Sequence, residues 1–67
     1  MKVLLNRKEF VTEAPALSVA ELLKVNGLPT VGVAVAVNGK VVRKADWDAT
    51  ALSEGDNVTV ITAVCGG

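Results

Sequence analysis

Short apolar segments separated by polar turns run along the whole chain, a pattern typical of β-strands joined by hairpins. The first two, Lys2–Leu5 and Glu9–Thr12, lie on either side of the polar stretch Asn6-Arg7-Lys8. Two strands of this length around a short polar segment predict an antiparallel hairpin at the start of the chain.

A strictly alternating segment from Val31 to Val37 predicts a second hairpin. Every odd position in it is valine and every even position is glycine or alanine, so one face carries all the larger side chains. The following Asn38-Gly39 pair is the strongest short-range signal for a two-residue type I′ turn. We therefore expect Lys40–Arg43 to return antiparallel to the alternating strand.

A short helix is predicted between the two hairpins. Ser18 and Glu21 have the three-residue spacing of a capping box. Gly27 suits the left-handed position after a helix, and Pro29 prevents its continuation. The apolar stripe between these ends consists of Val19, Leu22 and Leu23. A helix of about two turns is marginal in isolation, so it must pack against the sheet.

The segment from Lys44 onward predicts a connection followed by a final strand. Trp47 and Leu52 are expected to pack the connection, which includes a short turn of helix, onto the core. A turn at residues 54–57 leads into Val58–Val64, among the most apolar segments of the chain. We expect this strand in the middle of the sheet, beside the first strand.

The order of these elements is hairpin, helix, hairpin, connection and strand. A strand, a helix and another strand in one sheet imply a right-handed crossover. The pattern predicts an α+β fold of the β-grasp (ubiquitin-like roll) type: a mixed sheet of four to five strands, one main helix and a short helical turn. We expect residues 1–67 to form one domain with a flexible tail at residues 65–67.

Composition agrees with a folded domain and excludes several functions. Hydrophobic residues make up 51% of the chain, and its 7 basic and 7 acidic residues cancel. The chain lacks a basic run with aromatic side chains, so we expect no nucleic-acid binding. The start of the chain lacks the long apolar segment of a signal peptide, and no stretch approaches the ~20 apolar residues of a membrane span, so we expect neither. A single cysteine cannot form an internal disulfide, which favours the cytoplasm.

Side chains suited to catalysis are scarce, so we expect no enzyme activity, no catalytic residues and no metal site. The chain has no histidine and one cysteine, which removes the usual general base and a zinc site. Four acidic residues lie close in sequence, and we interpret them as a solvated turn in which Asp46 caps a short helix. These residues are Asp46, Asp48, Glu54 and Asp56.

The strongest candidate for chemistry is the end of the chain, where an apolar run leads directly into Gly66-Gly67. Glycines let a tail thread a narrow channel, reach conformations closed to other residues and leave the carbonyl carbon open to attack. The Gly67 carboxylate is therefore the predicted reactive group once a partner joins it to AMP. Cys65 lacks a histidine to activate it, so we interpret its thiol as peripheral.

The sequence resembles the ThiS family of bacterial sulfur carrier proteins of thiamine biosynthesis over essentially the whole chain, and three stretches carry the resemblance. They are LSVAELLKVNGLP at the helix, GVAVAVNGKVV at the second hairpin and WDATALSEGDNVTVITAVCGG at the end. Cys65 departs from the family pattern, in which a small residue such as glycine is common at this position.

The resemblance implies a carrier that serves as a substrate of other enzymes and binds no cofactor itself. A ThiF-like adenylyltransferase would use ATP and Mg²⁺ to adenylate the Gly67 carboxylate, with Gly66 and Gly67 threading its active site. A sulfur donor, commonly a persulfide from a cysteine desulfurase, would displace AMP and leave a thiocarboxylate. A ThiG-like thiazole synthase would then take up the sulfur.

A docking face for such partners is predicted on the side of the sheet that carries the small residues of the alternating strand. If the valines face the helix, the opposite face is smooth and apolar, and exposed apolar patches often mark partner sites. The predicted face consists of Ala34, Ala36, Ile61 and Ala63, with Gly32 beside them.

Related functions stay open on the sequence alone. A sulfur carrier of molybdopterin or cysteine biosynthesis would share the fold and the tail chemistry. A ubiquitin-like modifier would instead form an isopeptide bond with lysine side chains. A pure interaction module would have a dispensable tail.

Overall fold

The computed structural model describes residues 1–62, which form one helix, a short 3-10 turn and seven strands. The helix α1 spans Val19–Val25, and the 3-10 turn spans Lys44–Asp46. The strands are β1 (Lys2–Leu5), β2 (Lys8–Val11), β3 (Leu17–Ser18), β4 (Val33–Val37), β5 (Lys40–Val42), β6 (Ala51–Leu52) and β7 (Asn57–Thr62).

Five of the strands form a mixed sheet in the order β2-β1-β7-β4-β5, and β3 pairs with β6 in a separate two-stranded sheet. β7 lies in the centre, parallel to β1 and antiparallel to β4. The parallel pair joins the two ends of the described chain. This arrangement confirms the predicted β-grasp fold and the central place of the last strand.

The first hairpin is confirmed, but its predicted boundaries are wrong by one residue. Lys8 belongs to β2, where it pairs with Leu5, and the strand ends at Val11. The turn contains only Asn6 and Arg7, whose φ angles are 51° and 69°. Two successive left-handed residues define a type I′ turn, which normally carries glycine at its second position. Because Arg7 stands there instead, the sequence holds no clear signal of the tight turn.

The second hairpin turns at Asn38-Gly39 as predicted, with φ angles of 51° and 85°. The alternating strand, however, begins at Val33 and not at Val31, whose side chain is 77% exposed. Gly32 has a φ of 75°, outside the extended region, and this interrupts the alternation. Val31 therefore does not belong to the buried row, and Arg43 lies just beyond β5.

The helix begins and ends where the sequence predicts. The Ser18 hydroxyl accepts a hydrogen bond from the Glu21 N–H at 3.1 Å, and the Glu21 carboxylate accepts one from the Ser18 N–H at 2.9 Å. At the other end, Gly27 has a φ of 66°. The Leu28 N–H donates to the Leu23 carbonyl at 2.9 Å, which completes a Schellman motif.

The core lies between α1 and one face of the sheet and is almost entirely aliphatic. It consists of Val3, Leu17, Val19, Leu22, Leu23, Val35, Trp47, Leu52 and Val58. The expected burial of Trp47 and Leu52 is confirmed, at 4% and 5% exposure. The Trp47 indole N–H donates to the Val42 carbonyl at 3.0 Å, so its polar atom has a partner inside the fold.

Candidate functional site

The candidate site is the end of the sheet at which the described part of the chain stops. β7 ends at Thr62, which pairs with Val33 at the start of β4. The predicted reactive Gly67, its neighbour Gly66 and the thiol of Cys65 lie outside the described residues, as does Ala63. The roles of these residues and the flexible tail at 65–67 therefore stay predictions.

The strand that carries this segment is held on both sides. Towards β4 it pairs over five successive positions, from Val58 with Val37 to Thr62 with Val33. Towards β1, the Asn6 N–H donates to the Val58 carbonyl at 2.9 Å, and the Asn6 side-chain oxygen accepts from the Val60 N–H at 2.8 Å. The side chain of a turn residue thus continues the ladder past the end of β1 and positions the base of the tail.

Three residues of the predicted docking face, Ala34, Ala36 and Ile61, lie on one side of the sheet. Ala34 pairs with Ile61 across the β4–β7 ladder, and directly opposed residues share a face of the sheet. Ala36 pairs on the same face with Thr59. Ile61 is 57% exposed, while the two alanines are half-buried. The neighbouring Gly32 precedes β4 and is not part of the strand.

The sequence prediction missed Val41 as a member of this face. Val41 pairs with Ala36 in the β4–β5 ladder and is 76% exposed. The turn at Asn38-Gly39 fixes this register, so counting outward from it would have placed Val41 beside Ala36. We use the name open face for the exposed side of the sheet formed by Ala34, Ala36, Val41, Thr59 and Ile61.

The acidic residues of the connection have structural contacts. The Asp56 carboxylate accepts hydrogen bonds from the Ser53 N–H at 2.8 Å and the Asn38 side-chain amide at 3.0 Å. The Glu54 carboxylate accepts from the Lys2 N–H at 3.0 Å. Within residues 1–62, no group of three or more potential metal-ligating side chains lies together. These contacts agree with the interpretation of a solvated turn.

The predicted cap of the short helix is wrong. Asp46 is the last residue of the 3-10 turn, and the residue before the turn is Arg43, which makes no side-chain capping bond. The segment closes instead through the Thr50 hydroxyl, which donates to the Asp46 carbonyl at 2.7 Å. The side chain of Asp46 thus has no capping role.

A groove of about 550 Å³ lies on the helix side of the molecule, away from the open face. Its lining residues are Thr12, Ala14, Ala16, Leu17, Glu21, Lys24 and Val25. The Glu21 carboxylate is already engaged in the capping box. The groove therefore presents few free polar groups that would orient a small ligand.

The described part of the chain contains no helix long and apolar enough to cross a membrane. The fold, the open face and the central strand that leads to the tail define a small β-grasp domain of the ubiquitin-like class. The chain belongs to the ThiS family, whose model matches residues 2–67.

Two solved structures are similar over the full length of this chain. The crystal structure of the thiamine biosynthesis protein ThiS from Geobacter metallireducens has 32% sequence identity and a TM-score of 0.87, and all of both chains is covered. The solution structure of a thiamine biosynthesis protein from the same organism has 32% identity and a TM-score of 0.80, with 88% of that chain covered. No match is found among curated protein sequences.

Family membership and these two structures support a sulfur carrier role in thiamine biosynthesis, in partnership with sulfur-transfer enzymes. This role agrees with the prediction of a protein that is not itself an enzyme.

Proposed function

We propose that this protein carries sulfur on its Gly67 carboxylate, which partner enzymes adenylate, convert to a thiocarboxylate and use to build the thiazole ring of thiamine. The observation that carries the proposal is the course of β7. This central strand is anchored by β1, β4 and the Asn6 side chain up to its last residues. Five residues then follow Thr62, ending with Gly67, in a chain that matches the family model through residue 67.

The proposed chemistry begins at the terminal carboxylate. A carboxylate oxygen of Gly67 attacks the α-phosphate of ATP held with Mg²⁺ by a ThiF-like adenylyltransferase, and pyrophosphate leaves. The terminal sulfur of a persulfide, made by a cysteine desulfurase, then attacks the acyl carbon and AMP leaves. A second thiol cleaves the resulting S–S bond, which releases the thiocarboxylate and forms a disulfide. A ThiG-like thiazole synthase takes the sulfur, and the carboxylate is regenerated.

The two glycines suit these steps because they place no side chain beside the reacting carbon. A tail without Cβ atoms can enter a narrow channel and approach a bound nucleotide closely. The described part of the domain contributes recognition: a paired sheet with an exposed apolar surface near the base of the tail. We propose that Ala34, Ala36 and Ile61 of the open face contact the partner, with Ala63 continuing the row.

The carrier itself binds no cofactor in this proposal, since ATP and Mg²⁺ belong to the activating enzyme. The reaction is placed in the cytoplasm, where a protein with a single cysteine keeps its thiol reduced.

One experiment tests the proposal. The protein is incubated with ATP, Mg²⁺, a ThiF-like enzyme and a persulfide donor, and its intact mass is measured. We expect the gain that corresponds to one oxygen replaced by sulfur, located at Gly67 by fragmentation. A chain that lacks Gly67 should fold normally and show no gain.

Two results would contradict the proposal. One is an unchanged mass with every activating enzyme that accepts another ThiS protein as substrate. The other is an isopeptide bond between Gly67 and lysine side chains, which would identify a ubiquitin-like modifier. Thiocarboxylate formation that is used only by molybdopterin or cysteine synthesis would keep the carrier chemistry and change the pathway.

A further inference from the structure

The end of the sheet where β7 ends is basic, although the chain as a whole carries no net charge. Arg7 occupies the β1–β2 turn and Arg43 directly follows β5. Both side chains are exposed. Strand pairing brings them to one end, because Arg7 follows Asn6, whose side chain bonds to Val60 of β7, and Arg43 follows Val42, which lies in the same row of the sheet as Val60. We use the name basic rim for Arg7 and Arg43.

The opposite end of the sheet has a different charge pattern. Lys2 and Lys40 lie there together with the carboxylates of Asp56 and Glu54, which bond to neighbouring backbone and side-chain groups. Among residues 1–62, one ion pair has an N–O distance within 4 Å. It joins Lys2 to Glu9 at 3.5 Å. The positive charge of the basic rim is therefore not paired within the described residues.

Arg7 stands in a backbone conformation that arginine rarely adopts. Its φ of 69° is the left-handed value that the second position of a type I′ turn requires. The equivalent position in the second hairpin is Gly39, with a φ of 85°. Non-glycine residues are disfavoured in this region, and such residues cluster at binding sites and other functional positions. The first hairpin thus keeps an arginine where its own turn geometry favours glycine.

The basic rim is also fixed relative to the base of the tail. Asn6, the neighbour of Arg7, bonds to both Val58 and Val60 of the strand that continues into the tail. Residues 63–67 can span at most about 18 Å when fully extended. An enzyme that acts on the Gly67 carboxylate must therefore bring the entrance of its active site against this end of the sheet.

We propose that the basic rim binds acidic side chains that surround the tail entrance of the activating enzyme. This inference rests on the proposed function and specifies how the carrier is recognised. A nucleotide that reacts with Gly67 lies at the far end of the extended tail, whereas the rim lies at its base. The rim therefore contacts the protein surface around the entrance. Opposite charges on two such surfaces accelerate encounter and fix orientation.

The test measures how the activating enzyme responds to reversed rim charges. Pyrophosphate exchange with ATP is followed at varied carrier concentration for the wild type and for the R7E/R43E double variant. The matched control is K24E/K40E, which changes the net charge equally with exposed lysines away from the rim. We expect the KM for the carrier to rise about tenfold in R7E/R43E, with kcat and the KM for ATP unchanged. The difference should shrink at about 0.5 M salt, where charges are screened.

A second variant separates binding from folding. In R7G, the turn receives the residue that its geometry favours, so the melting temperature should stay the same or rise. The KM for the carrier should nevertheless increase several-fold, because the guanidinium is lost. A loss of affinity together with preserved stability cannot be explained by misfolding.

The outcomes are distinct. A wild-type chain that supports no exchange dependent on Gly67 overturns the proposed function, and the rim proposal with it. If the wild type is active and R7E/R43E has the same KM for the carrier as the wild type, the rim proposal alone is overturned. An equal rise of the KM in K24E/K40E also overturns the rim proposal, because only net charge would matter. A raised KM for ATP would place the arginines on the nucleotide and would overturn it as well.

Discussion

The side-chain oxygen of Asn6 accepts a hydrogen bond from the backbone N–H of Val60, 54 residues further along the chain, at 2.8 Å. Asn6 also has a left-handed φ of 51° and donates its own N–H to the Val58 carbonyl. One residue therefore shapes the first turn and extends the central ladder. It connects the start of the chain to the strand that leads to the tail.

We predict that Asn6→Ala lowers the free energy of unfolding by about 1–3 kcal/mol. The change leaves the Val60 N–H without its partner and places alanine in a left-handed conformation. Urea unfolding measures the effect. Asn6→Asp keeps an acceptor at the same place and serves as the control, with a smaller loss. Equal stability of Asn6→Ala and the wild type would show that the contact is not stabilising.

The open face should contribute to partner binding and little to stability. Ile61→Glu places a charge on a surface that is 57% exposed, so the free energy of unfolding should change by no more than about 0.5 kcal/mol. Association with the activating enzyme should weaken at least about tenfold, since apolar contacts at the centre of an interface dominate its affinity. Calorimetry and urea unfolding measure the two effects.

Val31→Glu is the matched control for the open face, because Val31 is 77% exposed but lies outside β4 and its paired rows. It should bind the enzyme as the wild type does. If both substitutions weaken binding equally, the location of the open face is wrong.

Removing the capping box should destabilise the short helix. Ser18→Ala removes the acceptor of the Glu21 N–H, and the expected loss is about 1 kcal/mol of unfolding free energy. Thermal unfolding measures it as a drop of several degrees for a domain of this size. Ser53→Ala removes a hydroxyl from an exposed turn and should have almost no effect. If Ser18→Ala leaves the melting temperature unchanged, packing alone holds the helix and the capping box adds no stability.

Trp47 should stabilise the fold partly through its indole N–H. Trp47→Phe keeps an aromatic ring in the core and leaves the Val42 carbonyl without its 3.0 Å donor. Lost packing and the lost hydrogen bond together should cost about 1–3 kcal/mol. Fluorescence is lost with this residue, so circular dichroism follows the urea unfolding. Leu52→Ala, at a similarly buried position of the connection, shows the cost of lost packing without a lost side-chain hydrogen bond.

Local signals in the sequence predicted the elements that are governed by local physics. The capping box at Ser18, the left-handed Gly27 and the Asn38-Gly39 turn each act through backbone geometry within a few residues. The first turn was less well predicted, since Arg7 occupies a position that favours glycine. The start of β4 was misplaced because alternation continues through Gly32, whose φ ends the extended conformation.

Local sequence patterns also predicted part of the candidate site. The alternation of valine with small residues predicted that Ala34 and Ala36 share a face, and the β4–β7 register places Ile61 beside Ala34. Val41 and the two arginines of the basic rim were missed, because their proximity to this surface depends on which strands pair. Residues far apart in sequence meet only through that pairing.

By itself, the sequence determined the class of fold, the limits of the helix and the second turn, because hydrophobic period and capping residues act locally. Its motifs also indicated the ThiS family, which the family model and two solved structures then confirmed. The tertiary structure decided which charges and apolar groups surround the base of the tail. The parallel pairing of β1 with β7 brings the first turn beside the last strand. Such a long-range pairing is selected by burial of the whole core, so no short segment of the sequence encodes it.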